Sequence, residues 1–297
     1  MRGSRPRRRL EEIVAREIAP AEGETILAAV SGGPDSVALA ALLRTACARA
    51  GASVVLGHVN HGMRPGAWQD EAVVLALGAA LELPVRCASL APDAKAGEAE
   101  LREGRYRALE ALALGAGATR IATAHHAQDQ TETVLLALFR GTGPAGLAGM
   151  RPARPLGSGL SLVRPLLEVE PASLAALCAA EHLPYVLDPT NADRRYARNA
   201  LRSALAELRP RFPHLDAAVA RCARILRDEL EGTGRAALRA RLREELAAGP
   251  GLRDVPFERL EAAARALEQG RAGRHFIKRG VVIDVAARGR TESKSKA

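Results

Sequence analysis

Apolar positions along the first half of the chain follow two alternating patterns. Residues 25–30, 53–59, 85–90 and 119–124 are short apolar stretches, with the length and character of strands buried on both faces of a parallel sheet. Between them apolar residues recur at helical spacing, as with Leu39, Leu42, Leu43 and Ala46. The Gly/Pro-rich stretch "RGTGPAGLAGMRPARPLGSG" separates this series from a fifth strand predicted at 160–169. Such alternation predicts an α/β fold: a doubly wound, mostly parallel five-stranded sheet whose ligands gather beyond the carboxyl ends of the strands. After residue 170 the pattern is helical over 171–183, 194–208 and 214–231. Helices near 236–247 and 256–269, with a strand-like "VVIDV", predict a small α+β region at the end. The expected divisions are a basic extension (1–23), a sheet domain (24–170), a helical segment completing it (171–232) and a small C-terminal domain (233–297).

Composition narrows the class. The chain has 297 residues, 47% of them hydrophobic, which is ordinary for a globular protein. No apolar run approaches the roughly 20 residues that span a bilayer. The segment "MRGSRPRRRLEEIVAREIAP" lacks the apolar centre of a secretory signal, and Glu11, Glu12 and Glu17 oppose a mitochondrial presequence. The expectation is a cytoplasmic protein with no membrane partner. Arg2, Arg5, Arg7, Arg8 and Arg9 read as a solvated tail. Cys47, Cys87, Cys178 and Cys222 form no C-x-x-C, so they read as small buried side chains rather than metal or redox ligands. The net charge of +9 suits a polyanionic partner, RNA above all. Nearly all of it is arginine, however, which biased codon usage also produces. Aromatic residues are 3%, so a base-stacking platform is not expected.

The chemistry begins where the first strand ends, in "SGGPDS" at 31–36. This turn has neither a P-loop lysine nor a dinucleotide fingerprint. Gly32 and Gly33 let backbone approach a ligand, Pro34 suits a first helical position, and the amides with Ser31 and Ser36 favour an anion. Asp35 beside a phosphate calls for a divalent cation between them. The residues alone thus leave two readings: a magnesium–nucleotide site without a lysine, or a plain Gly-Gly turn.

"SGGPDS" resembles the S-G-G-x-D-S loop of the ATP-pyrophosphatase superfamily. "HVNHGMRP" (58–65), "EAELREGRYRAL" (98–109), "ATAHHAQDQTETVLLALFRGTGPAGLAGM" (122–150), "VRPLL" (163–167) and "DPTNADRRYARNALR" (188–202) follow in order. Together they resemble the tRNA(Ile)-lysidine synthetases over roughly 24–230, with the end of the chain similar to a short form carrying one appended domain. Leu101 departs from the alanine usual there. The resemblance implies an adenine nucleotide alpha hydrolase-like fold and the cofactors ATP and Mg²⁺. It implies adenylation of O2 of the first anticodon cytidine in tRNA(Ile) with a CAU anticodon, then attack at C2 by free L-lysine. A homodimer is compatible with it.

On that reading Ser31, Gly32, Gly33, Pro34, Asp35 and Ser36 cradle pyrophosphate, with Asp35 on the metal. His61 and Arg64 contact the nucleotide, or are a loop histidine and a surface arginine. Asp129 and Glu132 lie one helical turn apart, opposite Val134, Leu135 and Leu138; they would point away from the packing surface and hold the lysine amine. Two acids favoured by a helix N-terminus are the plainer alternative. His125 is a candidate proton shuttle because an unperturbed imidazole titrates near neutrality. Arg105 would stabilise departing charge, whereas Arg102 also fits an i, i+4 pair with Glu98. Arg198 would reach the active site from a basic stretch that includes Arg194, Arg195, Arg202, Arg209 and Arg211. A thiolating relative would need paired cysteines, an amidating enzyme a glutaminase part, and a nucleotide sensor the turn alone.

Overall fold

The computed structural model describes residues 5–60, 67–90, 98–186, 197–232, 234–248, 255–269, 273–278, 281–285 and 291–295. Two compact units emerge, one comprising 1–140 with 149–221, the other 141–148 with 222–297.

The first unit runs α1 (Arg5–Ile18), β1 (Thr25–Ala29), α2 (Pro34–Ala50), β2 (Ser53–Asn60), α3 (Ala67–Leu81), β3 (Val85–Ser89), α4 (Glu98–Gly115), β4 (Arg120–Ala122) and α5 (Ala127–Phe139). After α6 (Pro144–Leu147), which belongs to the second unit, come β5 (Ala153–Pro155), β6 (Ser161–Val163), α7 (Pro171–Ala180) and α8 (Ala197–Leu208). The sheet order is β3-β2-β1-β4-β6-β5, parallel except for the β5–β6 pair. Six strands therefore replace the expected five. The added strand has three residues and ends in proline, which fits only at a sheet edge. The strand expected over 160–169 stops at Val163, because Pro165 cannot continue a ladder and the chain turns.

Alternation along β1 shows how the sheet is covered. Ile26, Ala28 and Val30 pack with α1, α2 and α7 residues such as Val14, Leu39 and Leu174, while Leu27 and Ala29 pack with Leu109 and Ala113 of α4. Both faces are buried, as a doubly wound sheet requires. The expected solvated tail is instead a helix: Leu10, Val14 and Ile18 of α1 are buried, and Arg7 pairs with Glu11 and Glu181. Its apolar residues recur at i, i+4 and i+8, so they turn one stripe to the core while Arg8 and Arg9 stay exposed.

The second unit contains α10 (Gly234–Ala248), α11 (Phe257–Glu268) and an antiparallel sheet β7 (Gly273–Lys278), β8 (Val281–Val285) and β9 (Thr291–Ser295). Leu242, Leu246, Leu260, Ala263, Ala264 and Ile277 form its core. The helix α9 (Leu215–Glu231) includes residues of both units. Among the described residues no helix is long and apolar enough to cross a membrane. Cys47 and Cys178 are buried as expected, but Cys87 and Cys222 are exposed. Cys87 lies on β3, the edge strand of the sheet, where one side has no neighbouring strand. Burial pushes the Cys47 and Cys178 thiols up to about 11, so neither is a nucleophile at neutral pH.

Candidate active site

The strand order reverses direction between β1, which continues to β2 on one side, and β4, which continues to β6 on the other. Loops leaving the carboxyl ends of β1 and β4 diverge there and open a crevice. A cavity of about 500 Å³ occupies it, lined by Ser31, Gly33, Asp35 and Ser36 from the first loop and by Thr123, His125, His126, Gln128 and Asp129 from the second. Arg105 of α4 and Arg202 of α8 complete its charged lining.

The turn after β1 is built locally. Ser36 Oγ donates to the Gly33 carbonyl at 2.9 Å and accepts from the Ser31 amide at 3.1 Å. Gly33 is the N-cap of α2 and Pro34 its first residue, where a missing N–H costs nothing. The two glycines do different work. Gly32 has φ +92°, and a Cβ there would meet Val186 at 3.2 Å and the Asp70 backbone at 3.5 Å. At Gly33 the nearest atom would be Ser31 Oγ at 3.6 Å, so its openness faces the cavity rather than protein. His58 Nδ1 donates to the Val30 carbonyl at 2.9 Å, holding the strand where it enters the turn. This histidine was visible only as part of "HVNHGMRP". His61 and Arg64, from the same segment, lie outside the described residues, as do Arg194 and Arg195.

The second loop brings acids and imidazoles together. His126 Nε2 lies 3.5 Å from Asp35 and 3.4 Å from Asp129. Burial would lower the His126 pKa, but its hydrogen bond to Asp35 and the carboxylates of Asp129, Asp35 and Glu132 outweigh that and raise it. His125, whose Nδ1 lies 2.9 Å from the Thr123 hydroxyl, behaves oppositely. Burial, reinforced by Arg164, Arg105 and Arg198 against the opposing pull of Asp129, takes it down to about 4. It is a neutral imidazole at pH 7, so the near-neutral titration expected of it does not hold. Sequence reasoning passed over His126; its signal was the His-His pair directly after a strand.

The helix α5 overturns an expectation. Its buried side chains are Ala127, Gln130, Thr131 and Glu132, while Leu138 is exposed. Glu132 is fully buried, not turned away from the packing surface. Arg198 Nε donates to it at 2.8 Å, and Arg202 donates at 2.7 Å from Nε and 3.0 Å from Nη2. Two guanidiniums from α8 supply the charge and hydrogen bonds that let a carboxylate leave water. Asp129, one turn earlier, accepts from the His126 backbone amide at 3.1 Å and remains on the cavity wall. Arg209, expected among the phosphate contacts, is instead paired with Asp216 at 2.7 Å.

Arg105 is half-buried on the cavity wall, and among the described side chains no carboxylate pairs with it. Burial, with Arg102 nearby, lowers its pKa. An uncompensated guanidinium opposite an amide-lined turn is the arrangement of an anion site.

The PP-loop domain family matches residues 5–209. The chain belongs to the PP-loop family, in its tRNA(Ile)-lysidine synthase branch. It is 43% identical over 218 residues to the tRNA(Ile)-lysidine synthase of Methylobacterium nodulans, covering 71% of this chain and 60% of the relative. For the protein of that name in Methylobacterium sp. the identity is 42%, with 72% and 67% covered. For that of Ralstonia nicotianae it is 39%, with 84% and 60% covered. The chain thus spans between 60% and 67% of the length of these relatives. Among solved structures, the U34-tRNA thiolase NcsA of Methanococcus maripaludis, with its [4Fe-4S] cluster, aligns with TM-score 0.63 at 14% identity, over 74% of this chain and 78% of that one. That likeness is one of fold. The matched region contains the 31–36 turn, and ATP is the nucleotide its family uses.

Proposed function

We propose that this chain joins free L-lysine to C2 of the first anticodon cytidine of tRNA(Ile) bearing a CAU anticodon. In the first step O2 of the cytidine attacks the α-phosphorus of ATP and expels pyrophosphate. In the second the lysine amine attacks C2, AMP leaves, and the amine gives up a proton. One observation carries the reading: the PP-loop turn, Arg105 and two carboxylates, Asp35 and Asp129, converge on one cavity at the switch point of the sheet.

The turn amides and the Ser31 hydroxyl would receive phosphate oxygens, while Ser36, whose proton goes to Gly33, would hold the turn in shape. Asp35 fits magnesium, which is commonly held by one or two carboxylates plus phosphate oxygens. When bound, magnesium screens phosphate charge and makes the α-phosphorus more open to attack. Arg105 meets the charge that develops on the leaving group. Asp129, the other carboxylate on the cavity wall, holds the lysine amine. Glu132 acts at one remove by fixing Arg198 and Arg202. The residues at 233–297, basic in "RHFIKRG" and without a catalytic motif, add affinity for the tRNA body.

The test is incubation with an unmodified tRNA(Ile) transcript, ATP, magnesium and labelled lysine, scoring label in RNA. Label that requires the CAU anticodon is expected, and Asp35→Asn should abolish both pyrophosphate release and labelling. ATP turnover without label in RNA would defeat the assignment of lysine as the nucleophile.

A further inference from the structure

Beside the cavity, α4 and β5 bring arginines onto one aromatic ring. The guanidinium carbon of Arg102 lies 5.8 Å from the centroid of the Tyr106 ring, and that of Arg154 lies 5.3 Å from it. Arg164, only 5% exposed, adjoins the same tyrosine, donates from Nη1 to the Arg151 carbonyl at 2.8 Å, and has a buried Nε without a partner among the described residues. Arg105 follows Arg102 by one helical turn. Among the described side chains, no carboxylate pairs with Arg102, Arg105, Arg154 or Arg164. Burial lowers the Arg164 pKa, and Arg154 and Arg102 push the same way.

Four clustered guanidiniums repel one another, and in water-poor surroundings that repulsion is costly unless an anion arrives. Stacking over a ring uses the π face of a guanidinium and leaves its in-plane N–H donors free for a bidentate contact. Position distinguishes the anion. Arg105 lines the cavity, whereas Arg102 is exposed and Arg154 half-buried, and neither lines it. The positive charge therefore runs from the cavity wall outward to the surface. A nucleotide is contained by a cavity; a polymer entering it has to cross the rim.

We propose that Arg102 and Arg154, stacked on Tyr106, form a subsite for a phosphodiester of the RNA strand flanking the target nucleotide, with Arg164 holding Tyr106 in place. This rests on the reading of the substrate as RNA. Such a contact positions the strand and carries no sequence information of its own.

The experiment uses the full chain and an unmodified anticodon stem-loop RNA, with affinity followed by fluorescence anisotropy across a KCl series. A non-hydrolysable ATP analogue is titrated in parallel by calorimetry. Arg102→Gln and Arg154→Gln are chosen because neither side chain is fully buried. With a single-strand salt slope of about 0.7 per phosphate contact, each should weaken RNA binding about fourfold at ~0.15 M salt, and both together about fifteenfold. The slope itself should fall by about 0.7 for each substitution. ATP-analogue affinity should not change. Arg102→Lys should keep most of the salt slope, since it retains the charge, and lose part of the affinity with the fork. Arg107→Gln, an exposed arginine of the same helix facing Glu103, should behave as wild type.

Loss of ATP-analogue affinity with RNA binding intact would assign the cluster to the nucleotide and overturn the proposal. Unchanged RNA affinity and slope in the double variant would overturn it too, while leaving the lysidine reading standing. Failure of the wild-type chain to bind the RNA would bring down both.

Discussion

Among the described residues each unit of the molecule contains one fully buried ion, and the two are mirror images. In the first unit a carboxylate, Glu132, is held by two arginines; in the second a guanidinium, Arg239, is held by two glutamates, Glu229 and Glu261. The surroundings decide what each is for. Around Glu132 the partners remain open to solvent, with Arg198 29% and Arg202 36% exposed, and Arg202 also lines the cavity. The acid fixes a cation on the cavity wall. Around Arg239 the partners take up further arginines instead: Glu261 also takes Arg235, and Glu229 also takes Arg243. Arg235, Arg239 and Arg243 stand at i, i+4 and i+8, so one face of α10 is fastened to α9 and α11. A buried ion beside a cavity is an instrument, while one enclosed by its own kind of network is a fastening.

Substitution should separate the two sharply. Glu132→Gln leaves the two guanidiniums only the more distant Asp129 carboxylate, 4.0 and 3.8 Å away, and loosens both. Lysine transfer per folded molecule should fall about 100-fold, the scale of a small misplacement in an active site. Adenylated RNA should accumulate at the same time. Equal losses of pyrophosphate release and lysine transfer would tie the Arg198–Arg202 pair to the nucleotide instead.

Arg239→Met should show the opposite division. Leaving Glu229 and Glu261 short of a partner should cost the second unit about 3 kcal/mol, at the low end for a broken buried pair because Arg235 and Arg243 remain. Urea unfolding would register the loss, and ATP-analogue binding should be unaffected. An unchanged unfolding midpoint would remove the distinction drawn here.

A gentler probe is pH. Burial holds His125 neutral in the folded chain down to about 4, whereas the unfolded chain protonates it near 6.5. Below 6.5 the unfolded state takes up a proton that the folded state refuses, so stability falls as pH drops from 6.5 towards 4. The raised pKa of His126 acts in the reverse sense: its contribution is present below 6.5 and lost as pH rises through the folded value. Unfolding free energies from urea titrations at pH 7 and pH 5 should differ less in His125→Gln than in wild type, by about 2 kcal/mol. An identical difference would mean that the ring is solvated.

The smallest effect belongs to the exposed thiols. Cys87→Ser and Cys222→Ser should each move stability by no more than about 0.5 kcal/mol and leave turnover intact. A larger change in either would reopen a role for sulfur.

Local patterns were legible, and distant compensation was not. The buried strands at 25–30 and 53–59, the turn at 31–36 and the helices after 170 follow from periodicity and turn chemistry within a few residues. The edge strand β5 has too few residues to show a period. The orientation of α5 was misjudged because apolar spacing put Val134, Leu135 and Leu138 inward. The decisive partners, Arg198 and Arg202, lie 66 and 70 residues away in sequence. No window of helical length could reveal that an acid would be the buried residue. The Tyr106 cluster was missed for the same reason, since Arg154 comes from another strand.

The cavity draws its walls from Ala29 to Arg202, and the Val186 amide donates to the Gly32 carbonyl at 2.9 Å. During synthesis the turn after β1 therefore leaves the ribosome well before the residues that complete it. Until Val186 and Arg202 emerge, Gly32 lacks its backing and the crevice lacks part of its wall. A nascent chain of this protein should not retain ATP until α8 has cleared the exit tunnel.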